Sequence, residues 1–288
     1  MANGIVIIDK PTDWTSHDVV AKLRGILHEK RIGHAGTLDP MATGVLPVFV
    51  GRATRAVEFA AEREKEYIAG LRLGVVTDTQ DSTGTTLETH PVSVTAEQLE
   101  HTLSAFRGDI LQIPPMYSAI KRNGKKLYEL ARRGVEVERS SRPITIHELE
   151  LVQTVSPSEF VLRVLCSKGT YVRTLCHDIG QALGCGGTLF SLRRTQSAGF
   201  TLAEAVTLEE LAAAPDPSRC LLPVDRYFSR YPVWTVGPEE EWRIRNGSPF
   251  DTEGESGIYR VYNQQQEFLM LGKLENDCMT TIKSFFEV

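Results

Sequence analysis

The sequence predicts an α+β protein: a large domain around an antiparallel or mixed sheet flanked by helices, followed by a small β-rich module. Three observations predict this class. Runs with strand-like alternation and runs with helical periodicity both occur, without the regular alternation that is typical of a parallel sheet. The 288 residues are 41% hydrophobic and 24% charged, which is enough apolar surface for a large core. The composition then changes near residues 215–217 and 231–232.

The N-terminal elements are predicted from periodicity and from capping residues. Residues 4–9 form an apolar run typical of a strand, and Ser16 is predicted to cap a helix that ends near His28. A glycine-rich segment follows at residues 33–44, and the apolar run at residues 45–50 predicts a further strand. The glycine-rich segment is therefore predicted to be a loop between regular elements.

The middle of the chain continues the same patterns. Residues 65–76 alternate as in a strand, and residues 81–84 are typical of a turn. Thr95 and Gln98 form a predicted capping box for a helix that Gly108 ends. Further predicted elements are strands at 143–153 and 159–166 and helices at about 171–183 and near 202–213.

The last sixty or so residues have the pattern of a small β module. A short acidic helix is predicted at residues 238–246, and three short β-like runs follow at 258–262, 268–271 and 279–282. We expect a boundary that separates residues 1–228 from residues 229–288. The alternative is that these strands extend the main sheet.

Composition excludes several classes of protein. No run of about 18 apolar residues occurs, and the apolar run at the N-terminus is too short for a signal peptide, so we expect a cytoplasmic protein without a membrane span. The five cysteines are an odd, widely spaced set without a C-x-x-C pair. They are expected to be reduced and buried rather than part of a disulfide framework or a metal site.

The charge is unevenly distributed along the chain. The formal net charge is −5, but residues 107–142 carry nine Lys or Arg against four acids, and residues 163–194 carry five against one. Residues 201–288 carry eight bases against fifteen acids. A polyanion responds to the field within roughly 8–10 Å, so the two basic stretches are a candidate phosphate-binding face. Solvated surface with chance clustering is the alternative.

The glycine-rich loop holds a single carboxylate at its centre. Asp39 precedes Pro40, which biases it toward an extended conformation and presents its side chain, while the glycines allow a large ligand to approach the backbone. On generic chemistry an Asp-Pro pair is more often a turn former than a nucleophile. The loop lacks the Gly-Lys-Ser/Thr ending of a phosphate loop, and no G-x-G-x-x-G follows a strand, so no nucleotide cofactor is expected.

Five ordered motifs resemble the TruB family, the bacterial tRNA pseudouridine synthases that act on the T-loop uridine. The motifs are Lys10-Pro11-x-x-x-Thr15-Ser16, Gly33-His34-x-Gly36-Thr37-Leu38-Asp39-Pro40-x-Ala42-x-Gly44-x-Leu46-Pro47, Lys65-x-Tyr67, Pro115-x-Tyr117-Ser118-Ala119-x-Lys121 and Cys166-Ser167-Lys168-Gly169-Thr170-Tyr171-x-Arg173-x-Leu175. The resemblance spans nearly the whole chain. It implies a pseudouridine-synthase catalytic domain at residues 1–228 and a PUA-like RNA-binding domain at residues 229–288.

The resemblance implies isomerisation of uridine 55 of tRNA to pseudouridine, with base flipping and without a cofactor or a metal. Asp39 matches the family's nucleophile, Arg173 the arginine that pairs with it, and Tyr67 the tyrosine that stacks on the target base. Whether Asp39 attacks the sugar, attacks the base or acts as a base on the sugar stays open. The other implied substrate contacts are His34, Tyr171, Leu192 and Lys10, of which Lys10 is expected to brace the loop or to contact a phosphate.

The basic stretch at residues 107–142 corresponds to an insertion that closes over the RNA in this family. The implied phosphate contacts are Lys121, Arg122, Lys125, Lys126, Arg132 and Arg133. The expected partner is the T arm of tRNA, bound by a monomer that needs no protein partner. A tRNA-folding activity is compatible with the same surface. The alternatives are a non-catalytic tRNA-binding or tRNA-folding protein, a synthase of the same fold with another RNA target, and an RNA methyltransferase, for which the cofactor motif is missing.

Overall fold

Two sheets organise the chain in the computed structural model, which describes residues 2–60, 63–122 and 124–286. The strands are β1 (Gly4–Lys10), β2 (Ile32–His34), β3 (Thr43–Val50), β4 (Lys65–Leu73), β5 (Val75–Thr77), β6 (Thr86–Thr89), β7 (Gly108–Gln112), β8 (Lys121–Arg122), β9 (Lys125–Lys126), β10 (Arg142–Ser156), β11 (Glu159–Cys166), β12 (Gly187–Ser197), β13 (Phe200–Thr201), β14 (Val233–Thr235), β15 (Phe250–Asp251), β16 (Gly257–Tyr262), β17 (Phe268–Glu275) and β18 (Cys278–Ser284). The helices are α1 (Ser16–Leu27), α2 (Val57–Ala60), α3 (Ala96–Ser104), α4 (Leu127–Ala131), α5 (Val172–Ala182), α6 (Leu208–Ala213) and α7 (Pro238–Arg245).

The large sheet is mixed and mainly antiparallel, as the sequence predicts. Its strand order is β1-β3-β12-β4-β11-β10-β7, with β2 beside β3 and β13 beside β12. Only the pairing of β3 with β12 is parallel among the pairings described for this sheet. The parallel pair lies where the chain enters β3 from the glycine-rich loop, because Thr43 and Gly44 are in register with Arg193 and Arg194.

Strand β12 is an interior strand of the large sheet that sequence patterning missed. It lies between β3 and β4, although the second half of its sequence, from Arg193 to Ser197, is polar. Hydrophobic alternation identifies a strand only where one face is apolar. The two consecutive arginines break that alternation, and the strand is formed because β3 and β4 supply hydrogen-bond partners on both sides.

The N-cap of helix α1 lies one residue earlier in the sequence than predicted. Thr15 is the N-cap, because its side chain accepts a hydrogen bond from the Asp18 amide and Asp18 closes the capping box. Ser16 is buried at the first helical position, and its hydroxyl accepts from the Leu38 amide at 2.9 Å. The predicted cap is thus a link between the helix and the glycine-rich loop.

Two other predicted helix bounds differ from the structure. The helix with the Thr95–Gln98 capping box ends at Ser104, and Gly108 instead starts β7 with a φ of 84°. The helix predicted near residues 202–213 is a 3₁₀ turn followed by the separate helix α6, which Thr207 caps with its own capping box.

The C-terminal strands form a sheet of their own, so the alternative that they extend the main sheet is wrong. The order is β14-β16-β17-β18-β15, and helix α7 packs on it. The sheet docks on the larger domain through aromatic side chains: the Phe268 and Phe285 rings stack at 5.1 Å and both contact Phe228. The Tyr262 hydroxyl also donates to Asp225 at 2.7 Å. None of the described helices is long and apolar enough to cross a membrane.

Candidate active site

The glycine-rich loop presents Asp39 between two buried anchors. Leu38 and Ala42 are 3% and 0% exposed and belong to the main hydrophobic cluster, whereas the Asp39 side chain remains 37% exposed. The Asp39 carbonyl accepts from the Ala42 amide at 3.0 Å, so this residue also forms a turn. Because the backbone makes the turn, the carboxylate is left free to meet a ligand.

Lys10 stabilises the glycine-rich loop through hydrogen bonds to backbone carbonyls. Its side chain is fully buried, and its ammonium group donates to the carbonyls of Pro11, Trp14 and Pro40 at 2.7, 2.6 and 3.2 Å. Burial lowers the pKa of Lys10 to about 8, an effect that Asp39 opposes. All three N–H groups have acceptors, so this position favours the bracing role over a contact with substrate.

Gly44 is required where the loop enters the sheet. It has a φ of 101°, and a Cβ atom there would lie 2.2 Å from the Arg194 carbonyl oxygen. The loop end therefore lies directly against β12, which only glycine permits.

Arg173 forms an ion pair with Asp39, as expected from the sequence. Its Nε lies 2.9 Å from Asp39 Oδ2, and the arginine side chain is only 6% exposed although it stands in the first turn of α5. The guanidinium also donates to the carbonyls of Thr79 and Tyr117 at 3.0 and 2.8 Å. These contacts hold its planar fork in one orientation against the carboxylate.

Asp81 is a second carboxylate on the same arginine, and sequence reasoning missed it. Its Oδ2 lies 3.5 Å from Arg173 Nη1, and its side chain is 6% exposed. Thr79 and Thr83 donate their hydroxyls to the other Asp81 oxygen at 2.8 and 2.6 Å. The residues at 81–84 do form a turn, and that local role concealed the carboxylate's long-range contact.

The charge state of Asp39 reflects opposing influences. Burial raises the pKa of Asp39 above its ordinary value, and the nearby Asp81 adds to the rise. The Arg173 guanidinium lowers the pKa by its charge and by its hydrogen bond. The ion pair therefore opposes the protonation of Asp39 that burial favours.

Tyr67 and Leu192 lie on adjacent strands and belong to the cluster that holds Leu38 and Ala42. Tyr67 is 6% exposed on β4, and Leu192 is 8% exposed on β12, where it pairs in register with Ala69. Burial raises the pKa of Tyr67 to about 12, so its hydroxyl is neutral at ordinary pH. The structure thus brings both predicted pocket residues to the wall beside the loop.

Tyr171 lies at the start of α5, two residues before Arg173. Its backbone amide and carbonyl are both held by the Gln112 side chain, at 2.8 and 3.1 Å. Burial raises the pKa of the half-buried Tyr171, and the charge of Arg173 opposes that rise. These two bonds hold the backbone at the start of the helix that carries both Tyr171 and Arg173.

His34 ends β2 and opens the glycine-rich loop. It is half-buried, and its Nδ1 is a buried atom without a hydrogen-bond partner among the described residues. Burial lowers the pKa of His34, and the charge of Arg194 lowers it further. The ring is therefore mainly neutral at pH 7.

The basic insertion forms a small hairpin, β8 and β9, followed by α4. Of the six predicted phosphate contacts, Lys126 is half-buried and the others are exposed. None of these six makes an ion pair with a carboxylate in the described ranges 2–60, 63–122 and 124–286. Two of them, Lys126 and Arg132, flank the Tyr128 ring at 5.4 Å from its centroid. The free positive charges are available to a polyanion.

The insertion is connected to the Asp39–Arg173 ion pair through the Tyr117 carbonyl, which accepts from Arg173. The arginine thus contacts the loop carboxylate, the turn at Asp81 and the base of the insertion. The site provides a poised carboxylate, a fixed cation and aromatic walls, which suits nucleophilic or base chemistry on a planar ligand. In the part of the chain that the structure describes, no three His, Cys, Asp or Glu side chains lie together as metal ligands.

Comparison with known proteins identifies the family. A profile described as "TruB family pseudouridylate synthase (N terminal domain)" matches residues 24–172. The chain belongs to the TruB family. A second profile, "tRNA pseudouridylate synthase B C-terminal domain", matches residues 173–229. The two matches together cover the motifs that carry Asp39, Tyr67 and Arg173.

Curated relatives of this TruB-family chain are similar over most of their length. A protein named tRNA pseudouridine synthase B from Azoarcus sp. (strain BH72) is 47% identical over 90% of this chain and 88% of its own. A protein of the same name from Heliobacterium modesticaldum is 45% identical, over 94% and 90% of the two chains. The Clostridium kluyveri protein of that name is 40% identical, over 98% and 99%.

Solved structures share the fold. A chain from a crystal structure of a Cbf5–Nop10–Gar1 complex superposes with a TM-score of 0.75 at 25% identity, covering 99% of this chain and 85% of that one. A chain from an H/ACA RNP bound to a substrate RNA containing 2'-deoxyuridine gives a TM-score of 0.74 at 23% identity, over 99% and 86%. These matches confirm the α+β class and the PUA-like C-terminal sheet.

Proposed function

We propose that this protein isomerises uridine to pseudouridine in tRNA, and that its target is uridine 55 in the T loop. The observation that carries the proposal is the 2.9 Å ion pair between Arg173 and Asp39, which lies in the glycine-rich loop of this TruB-family chain. The names of the curated relatives support tRNA as the substrate class. The five sequence motifs that this chain shares with the family support uridine 55 of the T loop as the specific target.

Asp39 is the group that acts on the target nucleotide in this proposal. The reaction detaches uracil from C1' of the ribose, turns the base and rejoins it through C5, and the proton from C5 leaves the base. A carboxylate assists the first step by attacking the sugar or the ring or by taking a proton from the sugar. The departing uracil spreads its negative charge over its imide, so the single carboxylate of the loop suffices.

Arg173 keeps Asp39 ionised and holds its carboxylate in one position. Its guanidinium opposes the rise in pKa that burial causes, and its contacts with Thr79 and Tyr117 prevent it from following the carboxylate to another position. Asp81 holds the opposite side of the same guanidinium. The arginine is therefore a fixed counter-ion, and Asp81 is a positioning residue for it.

The target uridine has to leave its stack before Asp39 can reach it, which costs a few kcal/mol. Tyr67 and Leu192 line the wall beside the loop and are the proposed contacts for the extruded base. Tyr171, at the start of α5, and His34, at the end of β2, are proposed to contact the base and the vacated T loop. The six basic residues of the insertion are proposed to hold the RNA backbone without reading its sequence.

The test is release of tritium from an unmodified tRNA transcript labelled at uracil C5. Isomerisation releases this label into water, whereas binding or refolding of the tRNA does not. We expect release of one equivalent per tRNA by the wild-type protein and none by Asp39→Asn, with tRNA affinity retained in the variant. A uridine-55→cytidine transcript should release nothing, and release from that transcript would contradict the proposed target.

The same assay separates the catalytic function from a pure tRNA-binding or tRNA-folding role. Binding without tritium release would favour the non-catalytic alternative. A tRNA-folding activity that survives in Asp39→Asn would be an additional function of the same surface. We propose that the protein acts on tRNA as a monomer in the cytoplasm, a form supported by one chain supplying both Asp39 and Arg173.

A further inference from the structure

Arg194 is a fully buried arginine beneath the glycine-rich loop, and neither the catalytic motif nor the proposed mechanism uses it. It stands on the interior strand β12, and its exposed fraction is 0%. Its neighbour Arg193 points to the other face, where it pairs with Asp9 at 2.7 Å and its side chain is 43% exposed. Two consecutive arginines of one strand therefore have opposite environments.

The buried guanidinium ties together both ends of the loop that carries Asp39. Its Nε donates to the Val45 carbonyl at 2.7 Å, and its Nη2 donates to the Gly36 carbonyl at 2.9 Å. Gly36 precedes Asp39 by three residues and Val45 follows it by six. The loop is thus closed by one planar side chain, whose fork holds two acceptors in a fixed relation.

No carboxylate in the described ranges forms an ion pair with Arg194, and its Nη1 has no hydrogen-bond acceptor there. Burying a cation without a counter-ion is costly, and proteins tolerate such groups mainly where a function requires them. The nearby polar groups on the packed elements are the Tyr67 hydroxyl on β4, His34 on β2 and the Lys10 ammonium on β1. All three of these residues are predicted substrate contacts.

The pairing register explains why Tyr67 and Arg194 meet. They are directly opposite in the antiparallel pair of β4 and β12, and Arg194 is also in register with Gly44 on β3. The guanidinium charge counteracts the rise that burial causes in the pKa of Tyr67. One residue therefore contacts both the loop of the nucleophile and the tyrosine of the base pocket.

We propose that Arg194 is a positioning residue for the isomerisation, which sets the distance between Asp39 and Tyr67 by clamping the loop ends to the strand that faces the tyrosine. This role rests on the proposed function. The positive charge of Arg194 also favours negative charge in the pocket, which is where the departing uracil develops it. Binding of tRNA, in contrast, depends on the exposed basic insertion and does not involve Arg194.

The experiment compares Arg194→Gln and Arg194→Lys with the matched control Arg193→Gln. Under single-turnover conditions with saturating enzyme, we expect Arg194→Gln to slow tritium release by about 100-fold, the loss that a misplacement of about 1 Å can cause. Affinity for tRNA should change by less than about 3-fold, because the RNA-binding groups are untouched. Arg194→Lys should recover part of the rate, since it keeps the charge but one nitrogen cannot occupy both donor positions.

A second readout does not depend on activity. In histidine-labelled protein, an NMR titration follows the His34 ring, whose resonance is assigned with His34→Asn. Because Arg194 and the neighbouring His17 both lower the pKa of His34, removing the arginine charge should raise that pKa in Arg194→Gln and leave it unchanged in Arg193→Gln. If Arg194→Gln does not fold, the rate, the affinity and the titration are measured on Arg194→Lys, for which a reduced rate at unchanged affinity is expected.

The proposal is overturned if a folded Arg194→Gln, or Arg194→Lys in its place, isomerises tRNA at the wild-type rate. It is also overturned if the variant loses affinity for tRNA in proportion to its loss of rate, because the defect would then lie in binding. Failure of the proposed function gives a different result: the wild-type protein would release no tritium, while the His34 titration would still report the charge of Arg194.

Discussion

Replacing Arg173 by lysine tests the proposed role of the Asp39–Arg173 ion pair most directly. The arginine meets four acceptors: Asp39, Asp81 and the carbonyls of Thr79 and Tyr117. A lysine keeps the charge but has a single nitrogen on a flexible stem, so it cannot span acceptors on separate sides of a planar fork. At least one buried acceptor should lose its donor.

The expected magnitudes follow from these contacts. Loss of a charge-assisted hydrogen bond is worth about 1.5–3 kcal/mol, and if it is the bond to Asp39 the rate falls by roughly 10- to 150-fold. The free energy of unfolding should fall by about 1–3 kcal/mol, because a buried acceptor is left without a partner. Arg163→Lys is the matched control. It also alters an arginine bound to carboxylates, but the Arg163 side chain is 30% exposed on β11 and has no role in the proposed mechanism.

The pH dependence of the rate has a definite sign. Arg173 lowers the pKa of Asp39, so a weaker partner lets that pKa rise further above its ordinary value. If ionised Asp39 is the active form, activity is lost as pH falls through this pKa. The acidic limb of the rate profile of Arg173→Lys should therefore move to higher pH.

The assay is single-turnover tritium release over a range of pH, with unfolding in urea measured on the same proteins. Arg163→Lys should have the wild-type rate and an unchanged acidic limb. A wild-type rate and an unmoved acidic limb in Arg173→Lys would refute the reasoning, since both effects depend on the fork at Asp39.

Three further predictions test the loop and the insertion. Burial lowers the pKa of Lys10 to about 8, so between about pH 8 and 10.5 the unfolded chain binds more protons than the folded chain. The free energy of unfolding of the wild type, measured in urea, should therefore rise with pH relative to that of Lys10→Met. Parallel curves for the two proteins would contradict this. Gly44→Ala should lower stability by about 2 kcal/mol or more, because the new Cβ meets a carbonyl oxygen at 2.2 Å, whereas Gly25→Ala, with no atom within 4 Å, should be neutral or stabilising by up to about 1 kcal/mol in thermal unfolding. Lys125→Ala combined with Lys126→Ala should reduce the log–log salt slope of tRNA binding by about 1.4–1.8 in anisotropy titrations, and an unchanged slope would exclude the insertion as an RNA clamp.

Part of the site was predictable because its signals are local. The glycines and the proline around Asp39 define a presented loop within a few residues, and ordered motifs identify Arg173 and Tyr67 as its companions. The basic character of residues 107–142 is visible in a segment count although the whole chain is acidic. These features require no knowledge of what lies opposite them in space.

Asp81 and Lys10 show where local reasoning ends. Asp81 forms the turn that its sequence suggests, yet its carboxylate also meets an arginine 92 positions further along the chain. Lys10 fits a phosphate contact by residue type, but the fold buries its ammonium among three carbonyls. Residue type alone does not tell whether a cation faces solvent or backbone.

By itself, the sequence determined the α+β class, the separate β-rich C-terminal module, the loop that presents Asp39 and the family, because periodicity and motif order are properties of the linear sequence. Only the tertiary structure decided that β12 is an interior strand and that Arg194 is buried against the loop. Strand β12 has little apolar alternation, and it exists because β3 and β4 offer partners on both sides. The same packing removes Arg194 from water and leaves its neighbour Arg193 on the surface, a difference that depends on which face of the strand the sheet covers.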